Sequence, residues 1–74
     1  MFIIYRGKAY LVNNILSFYV VEQGLEIVFV NEQKLLINTR KRFLMALFEQ
    51  MKETLEQNKS YNIDDALEKI KNWL

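Results

Sequence analysis

Between Asn14 and Thr39 apolar residues come in three short runs separated by two turn-like breaks. Ile15 to Glu22 reads I-L-S-F-Y-V-V-E, Gln23-Gly24 interrupts, and Leu25 to Val30 reads L-E-I-V-F-V. Both runs are rich in the β-branched and aromatic types that fit a pleated, half-buried surface. A two-residue loop at Gln23-Gly24 predicts a hairpin pairing Glu22 with Leu25, Val20 with Ile27 and Phe18 with Phe29. That register gathers Leu16, Phe18, Val20, Leu25, Ile27 and Phe29 on one face, the expected core face. A third run, Lys34 to Asn38, follows Asn31-Glu32-Gln33. A three-residue loop sets Leu35 against Phe29 and Ile37 against Ile27, with Lys34, Leu36 and Asn38 pointing away. A two-residue loop at Glu32-Gln33 brings Leu36 inward instead.

The opposite face of these runs carries Ile15, Ser17, Tyr19, Val21, Glu26, Val28 and Val30. A solvated antiparallel sheet alternates polar residues on its outer side, and here only Ser17 and Glu26 are polar. The pattern therefore predicts a face that wants covering, with Tyr19, Val21, Val28 and Val30 as its interface residues and an edge strand beside them.

Upstream, Met1 to Tyr5 and Ala9 to Val12 flank Arg6-Gly7-Lys8. A loop at Gly7-Lys8 pairs Tyr5 with Tyr10 and Ile4 with Leu11. Downstream the period changes. Leu44, Leu47, Phe48, Met51 and Leu55 recur at three and four residues, a helix stripe widened by Phe43 and Met45. Thr39 is the expected N-cap, and Asn58 the left-handed closing residue. Asn62 reads as a second N-cap, with Asp64 and Asp65 near the positive end of a helix whose stripe is Ile63, Ala66, Leu67, Ile70 and Trp73 or Leu74. The whole predicts one small α+β domain, 1-74. Its antiparallel meander sheet of four to five strands (about 2-38) precedes two C-terminal helices (about 40-57 and 63-73) packed on one face.

Composition sharpens this picture. Of 74 residues, 51% are hydrophobic and 14% aromatic, more apolar material than so small a globule buries with ease. Self-association, giving a homo-oligomer, or docking on a larger protein is the expected outlet. The chain has no Cys and no His, which removes disulfides, thiolate catalysis, cysteine zinc sites, the usual general base and the usual transition-metal ligand. No apolar stretch approaches the roughly 20 residues of a membrane span, and no signal-peptide pattern opens the sequence, so the expected compartment is the cytoplasm. No cofactor is expected, and no small-molecule substrate is indicated.

The segment G-K-A-Y-L-V-N, Gly7 to Asn13, followed by an Ile-led strand, a turn and a further hairpin, resembles the opening of the small flagellar FlbD proteins. The resemblance covers about half the chain, the helical second half departs from it, and no function is taken from it.

Net charge is +1 but unevenly placed: residues 1 to 42 hold six Lys or Arg against three Glu, and residues 43 to 74 hold four Lys against six acids. Arg40-Lys41-Arg42 stands at the start of the first helix, where acids are the stabilising choice. The triplet is either a phosphate site, in a nucleic-acid-binding or regulatory protein, or a solvated turn that tolerates the charge. Tyr5, Tyr10, Tyr19 and Phe18 are candidates for stacking bases, but packing accounts for them better without an RNP-type run. Asp64, Asp65 and Glu68 form the one close carboxylate group, and capping explains the two Asp residues without a metal. With no nucleophile–base pair and no phosphate-cradling glycine loop, the expectation is a non-enzymatic protein–protein interaction or self-associating module.

Overall fold

The computed structural model describes residues 1–73, Trp73 by its backbone alone, so the expected end of the second helix's stripe at Trp73 or Leu74 lies outside the described side chains. In chain order the elements are β1 (Phe2–Tyr5), β2 (Lys8–Leu11), a single 3-10 turn (Val12–Asn14), β3 (Ile15–Val21), β4 (Gly24–Phe29), β5 (Lys34–Asn38), α1 (Lys41–Glu56), β6 (Tyr61–Asn62) and α2 (Ile63–Trp73). The class is α+β, as the pattern predicts.

The single meander is not what forms. The strands divide into two three-stranded sheets, ordered β2-β1-β6 and β3-β4-β5. The 3-10 turn redirects the chain after β2, so β2 and β3 do not pair. The free edge of β1 is taken instead by β6, which runs parallel to it with Ile3 opposite Tyr61 and Ile4 opposite Asn62. Backbone bonds from the Val12 N–H to the Met1 carbonyl and from the Val30 N–H to the Asn14 carbonyl anchor the two ends of the turn, one to the first hairpin and one to the β3–β4 hairpin.

All three hairpins are displaced by two residues from the sequence-based registers. The β1–β2 loop is Arg6-Gly7, pairing Tyr5 with Lys8 and Ile3 with Tyr10. Both loop residues are left-handed (φ 51° and 73°), as a primed hairpin turn requires. The β3–β4 loop is Glu22-Gln23, pairing Val20 with Leu25 and Phe18 with Ile27. Gly24 belongs to the strand: a Cβ there would overlap the Ile37 carbonyl oxygen and lie 3.2 Å from the Asn38 Cα. It is a close-approach glycine, not a turn glycine. In β5, Ile37 pairs with Leu25 and Leu35 with Ile27. Its preceding loop is closed by the Phe29 N–H on the Gln33 carbonyl and the Glu32 N–H on the Phe29 carbonyl. Because side chains alternate with a period of two, a slip of two leaves each residue on its expected face. Ile37 is buried and Leu36 points out, as the three-residue loop implies.

One exception is local. Ile15 pairs with Phe29 and Ser17 with Val28, leaving Leu16 as a bulge, 69% exposed. The extra residue shifts the alternation by one, so Ile15 packs toward the core in place of Leu16.

The helices divide their work. α1 lies against β3 and β4, while α2 lies against α1 and β1. Phe43, Leu44, Leu47 and Met51 of α1, and Ile63, Ala66 and Ile70 of α2, join Ile3, Tyr5, Leu25, Ile27, Phe29, Ile37 and Tyr61 in one core cluster. The α1 cap is Arg40, not Thr39. Its backbone is extended, it makes no side-chain cap bond, and its carbonyl accepts from the Phe43 N–H at 2.9 Å. At the other end Asn58 adopts φ 58°. The Asn58 N–H bonds the Leu55 carbonyl and the Lys59 N–H the Thr54 carbonyl, the bond pair of a Schellman closure. Asn62 caps α2, its Oδ1 accepting from the Asp65 N–H at 3.1 Å.

Asp64 has a role beyond the helix dipole. Its two carboxylate oxygens accept from the Arg6 and Gly7 N–H groups at 2.9 and 3.2 Å, clasping the β1–β2 turn. The Ser60 Oγ accepts from the Phe2 N–H at 2.9 Å, and the Tyr61 hydroxyl donates to the Gln50 Oε1 at 3.3 Å. The Asp64 and Ser60 bonds fasten β1 and its turn to the start of α2 and the segment before it, and the Tyr61 bond ties β6 to α1.

Candidate interaction face and basic cleft

The outer side of β3-β4-β5 is built from three rows across the strands: Tyr19–Glu26–Leu36, Ser17–Val28–Lys34 and Val21–Gly24–Asn38. With α1 on the inner side, this face carries Tyr19 (40% exposed), Leu36 (39%) and the half-buried Val21 and Val28. Three of the four expected interface residues thus share one surface. Val30 does not extend it as a strand residue; it lies past the end of β4, 58% exposed, in a small hollow with Ala9, Tyr10 and Leu11. Leu36 takes its place, a residue whose face the uncertain loop length had left open.

A carboxylate sits in the middle of this face. The Glu26 side chain raises the Tyr19 phenol above its ordinary pKa, first by accepting its hydrogen bond, then with lesser contributions from burial and from the carboxylate charge. The two side chains stand opposite each other across β3 and β4.

β3 is also an open edge, paired to β4 alone. Along it, Val20 and Leu16 are exposed, and Val20, Val21 and Glu22 face Lys41, Leu44 and Met45 of α1 across a shallow groove. Exposed apolar side chains on an open strand edge are the features by which sheets add further strands.

Of the aromatic residues weighed for base stacking, Tyr5 is buried. Tyr10 stacks on Phe29 at 5.4 Å and Phe18 packs on Phe48 at 5.6 Å, which leaves Tyr19 as the exposed one.

The basic triplet is split by the first turn of α1. Arg40 and Arg42 line a cleft of about 470 Å³ with Asn38, Thr39, Phe43, Leu67 and Lys71, while Lys41 turns to the groove beside β3. The Arg42 guanidinium lies 4.8 Å from the Phe43 ring centroid, a cation–π placement. Lys71 comes from the last turn of α2 and was not legible as part of this group. The one signal for it was its i, i+4 spacing from Leu67, which projects both along one side of the helix.

Among the described residues no group of three acidic side chains is placed to hold a metal ion, and no helix is long and apolar enough to cross a membrane. Asp64 and Asp65 are engaged in the turn clasp and the first turn of α2. Comparison of the chain with protein-family models, with curated proteins and with solved structures finds no match in any of the three.

Proposed function

We propose that the chain is a non-enzymatic interaction module that associates with a second copy of itself through the outer face of β3-β4-β5 and the adjoining β3 edge. The observation supporting this is the sheet face turned away from α1, which presents Tyr19 and Leu36 to solvent beside the half-buried Val21 and Val28. An open antiparallel edge meets its own copy about a two-fold axis, so the same residues serve both sides of the contact. A cytoplasmic setting belongs to this reading, since a chain without Cys gains nothing from an oxidising compartment.

Light scattering across a roughly hundredfold concentration range tests it. The expected result is a constant dimer, or a monomer–dimer equilibrium within that range. Tyr19→Asp combined with Val28→Asp gives a folded monomer. A wild-type monomer throughout removes self-association and leaves a larger protein as the partner. Variants that unfold would mean the face belongs to the domain's own core.

A second reading has its own support, the meeting of Arg40 and Arg42 with Lys71 in one cleft. Here the chain is a nucleic-acid-binding or regulatory protein that contacts phosphates through Arg40, Lys41 and Arg42. Retention on DNA or RNA that falls steeply with rising salt is expected; no retention at low salt ends this version.

A further inference from the structure

We infer that the cleft between the start of α1 and the last turn of α2 takes a single phosphate group carried on a compact, partly apolar body. This rests on the second reading above and narrows it. A nucleic-acid backbone repeats its charge along a track, and proteins that hold it line up their cations along a groove. Here the cations converge instead. Arg40 at the cap of α1, Arg42 in its first turn and Lys71 of α2 meet on one concavity, and Lys41, which would continue a stripe, faces a different groove.

The donors suit one tetrahedral anion. An Arg presents a planar fork that grips phosphate through two parallel hydrogen bonds, and stacking on Phe43 keeps the Arg42 fork from swinging freely. Lys71 adds a point charge from the opposite wall, and the Asn38 amide and Thr39 hydroxyl supply neutral donors at the rim. None of the described lining residues is acidic.

The rest of the lining tells what carries the phosphate. Phe43 and Leu67 are apolar, and about 470 Å³ is far more space than a bare phosphate fills. It falls in the range of roughly 300–1,000 Å³ typical of small-molecule pockets. Phe43 is 3% exposed and already lies under Arg42, so an aromatic or aliphatic group attached to the phosphate would rest on Leu67 and the apolar stem of Lys71. A net charge of only +1 likewise favours one anionic group over a polyanion.

The test is an amide NMR titration of the full chain with inorganic phosphate, with adenosine 5′-monophosphate and with a single-stranded oligonucleotide, at ionic strength held constant with chloride. The expected result is saturable shifts confined to residues 38–43 and 67–71, with the monophosphate binding more tightly than inorganic phosphate. Arg42→Gln and Lys71→Gln, both at exposed positions, should each weaken it by roughly tenfold, about one charge-assisted hydrogen bond. Unchanged spectra elsewhere confirm that the variants are folded. Oligonucleotide binding without saturable monophosphate binding overturns the inference and leaves the broader reading standing. Loss of all three arms overturns both, and binding indifferent to the two substitutions places the ligand elsewhere.

Discussion

The two sheets are the same size and are held by different means. In β3-β4-β5 each strand pairs with its neighbour in the chain, and the sheet is bound to α1 through buried Leu25, Ile27, Phe29 and Ile37. In β2-β1-β6 the third strand arrives from 58 residues away, and the long-range side-chain bonds of Ser60 and Asp64 end on its backbone. Both sheets feed the one core, β2-β1-β6 through Ile3, Tyr5 and Tyr61, but that sheet also leans on polar clasps from distant side chains. Neighbour-to-neighbour pairing fixes a sheet cheaply in entropy, whereas a distant strand needs specific bonds to choose its place.

The two glycines offer the hardest test of that contrast. Gly24→Val forces a side chain into the Ile37 carbonyl and is expected to cost about 3 kcal/mol or more, read as a fall in the denaturation midpoint. Gly7→Ala meets no atom within 4 Å and suffers only from its φ of 73°, so its cost is about 1 kcal/mol. Equal losses would mean that close packing is not what distinguishes the sheets. Next in size, Asp64→Ala removes both bonds to the Arg6–Gly7 turn and should cost about 1–2 kcal/mol. Amide hydrogen exchange should quicken at Ile3, Ile4 and Asn62 and stay unchanged in β4; quickening in both sheets would show that they open as one unit.

The smallest effect at neutral pH belongs to Tyr61, whose phenol is pushed up to about 12 by burial. An unfolded chain ionises this group near its ordinary value of 10 while the folded chain keeps the proton. Stability is therefore full below about pH 10 and declines as pH rises toward 12. Tyr61→Phe should flatten that part of the stability–pH curve, by at most about 3 kcal/mol. An unchanged slope would mean that the ring is solvated at its hydroxyl.

The contrast also explains what could be read from the sequence. Hairpin faces were legible because a period of two survives any even slip, so Ile27 and Ile37 point inward both in the observed register and in the one a three-residue loop implies. The β3–β4 loop departs from expectation because Gly24, in place of turning the chain, leaves room for the Ile37 carbonyl of the neighbouring strand. Asn58 and Asn62 were legible because helix ends are governed by residues next to them in sequence. Thr39 misled, since Arg40 opens α1 without any side-chain bond. Strand β6 left no signal, because two residues cannot display a period and their partner is 58 positions away. The basic cleft was half legible for the same reason: Arg40 and Arg42 are neighbours in the chain, and Lys71 joins them only through tertiary packing.

The parallel seam between β1 and β6 also sets an order of assembly. Hairpins close in roughly 1–10 μs, long before a pairing that must wait for everything between its two strands. The seam is therefore a late step, made when the meander and α1 have already brought the distant segments near each other. Late contacts contribute little to the folding rate and much to how slowly the chain comes apart. Substitutions at Ser60 or Asp64 should leave refolding speed nearly untouched and shorten the lifetime of the native state.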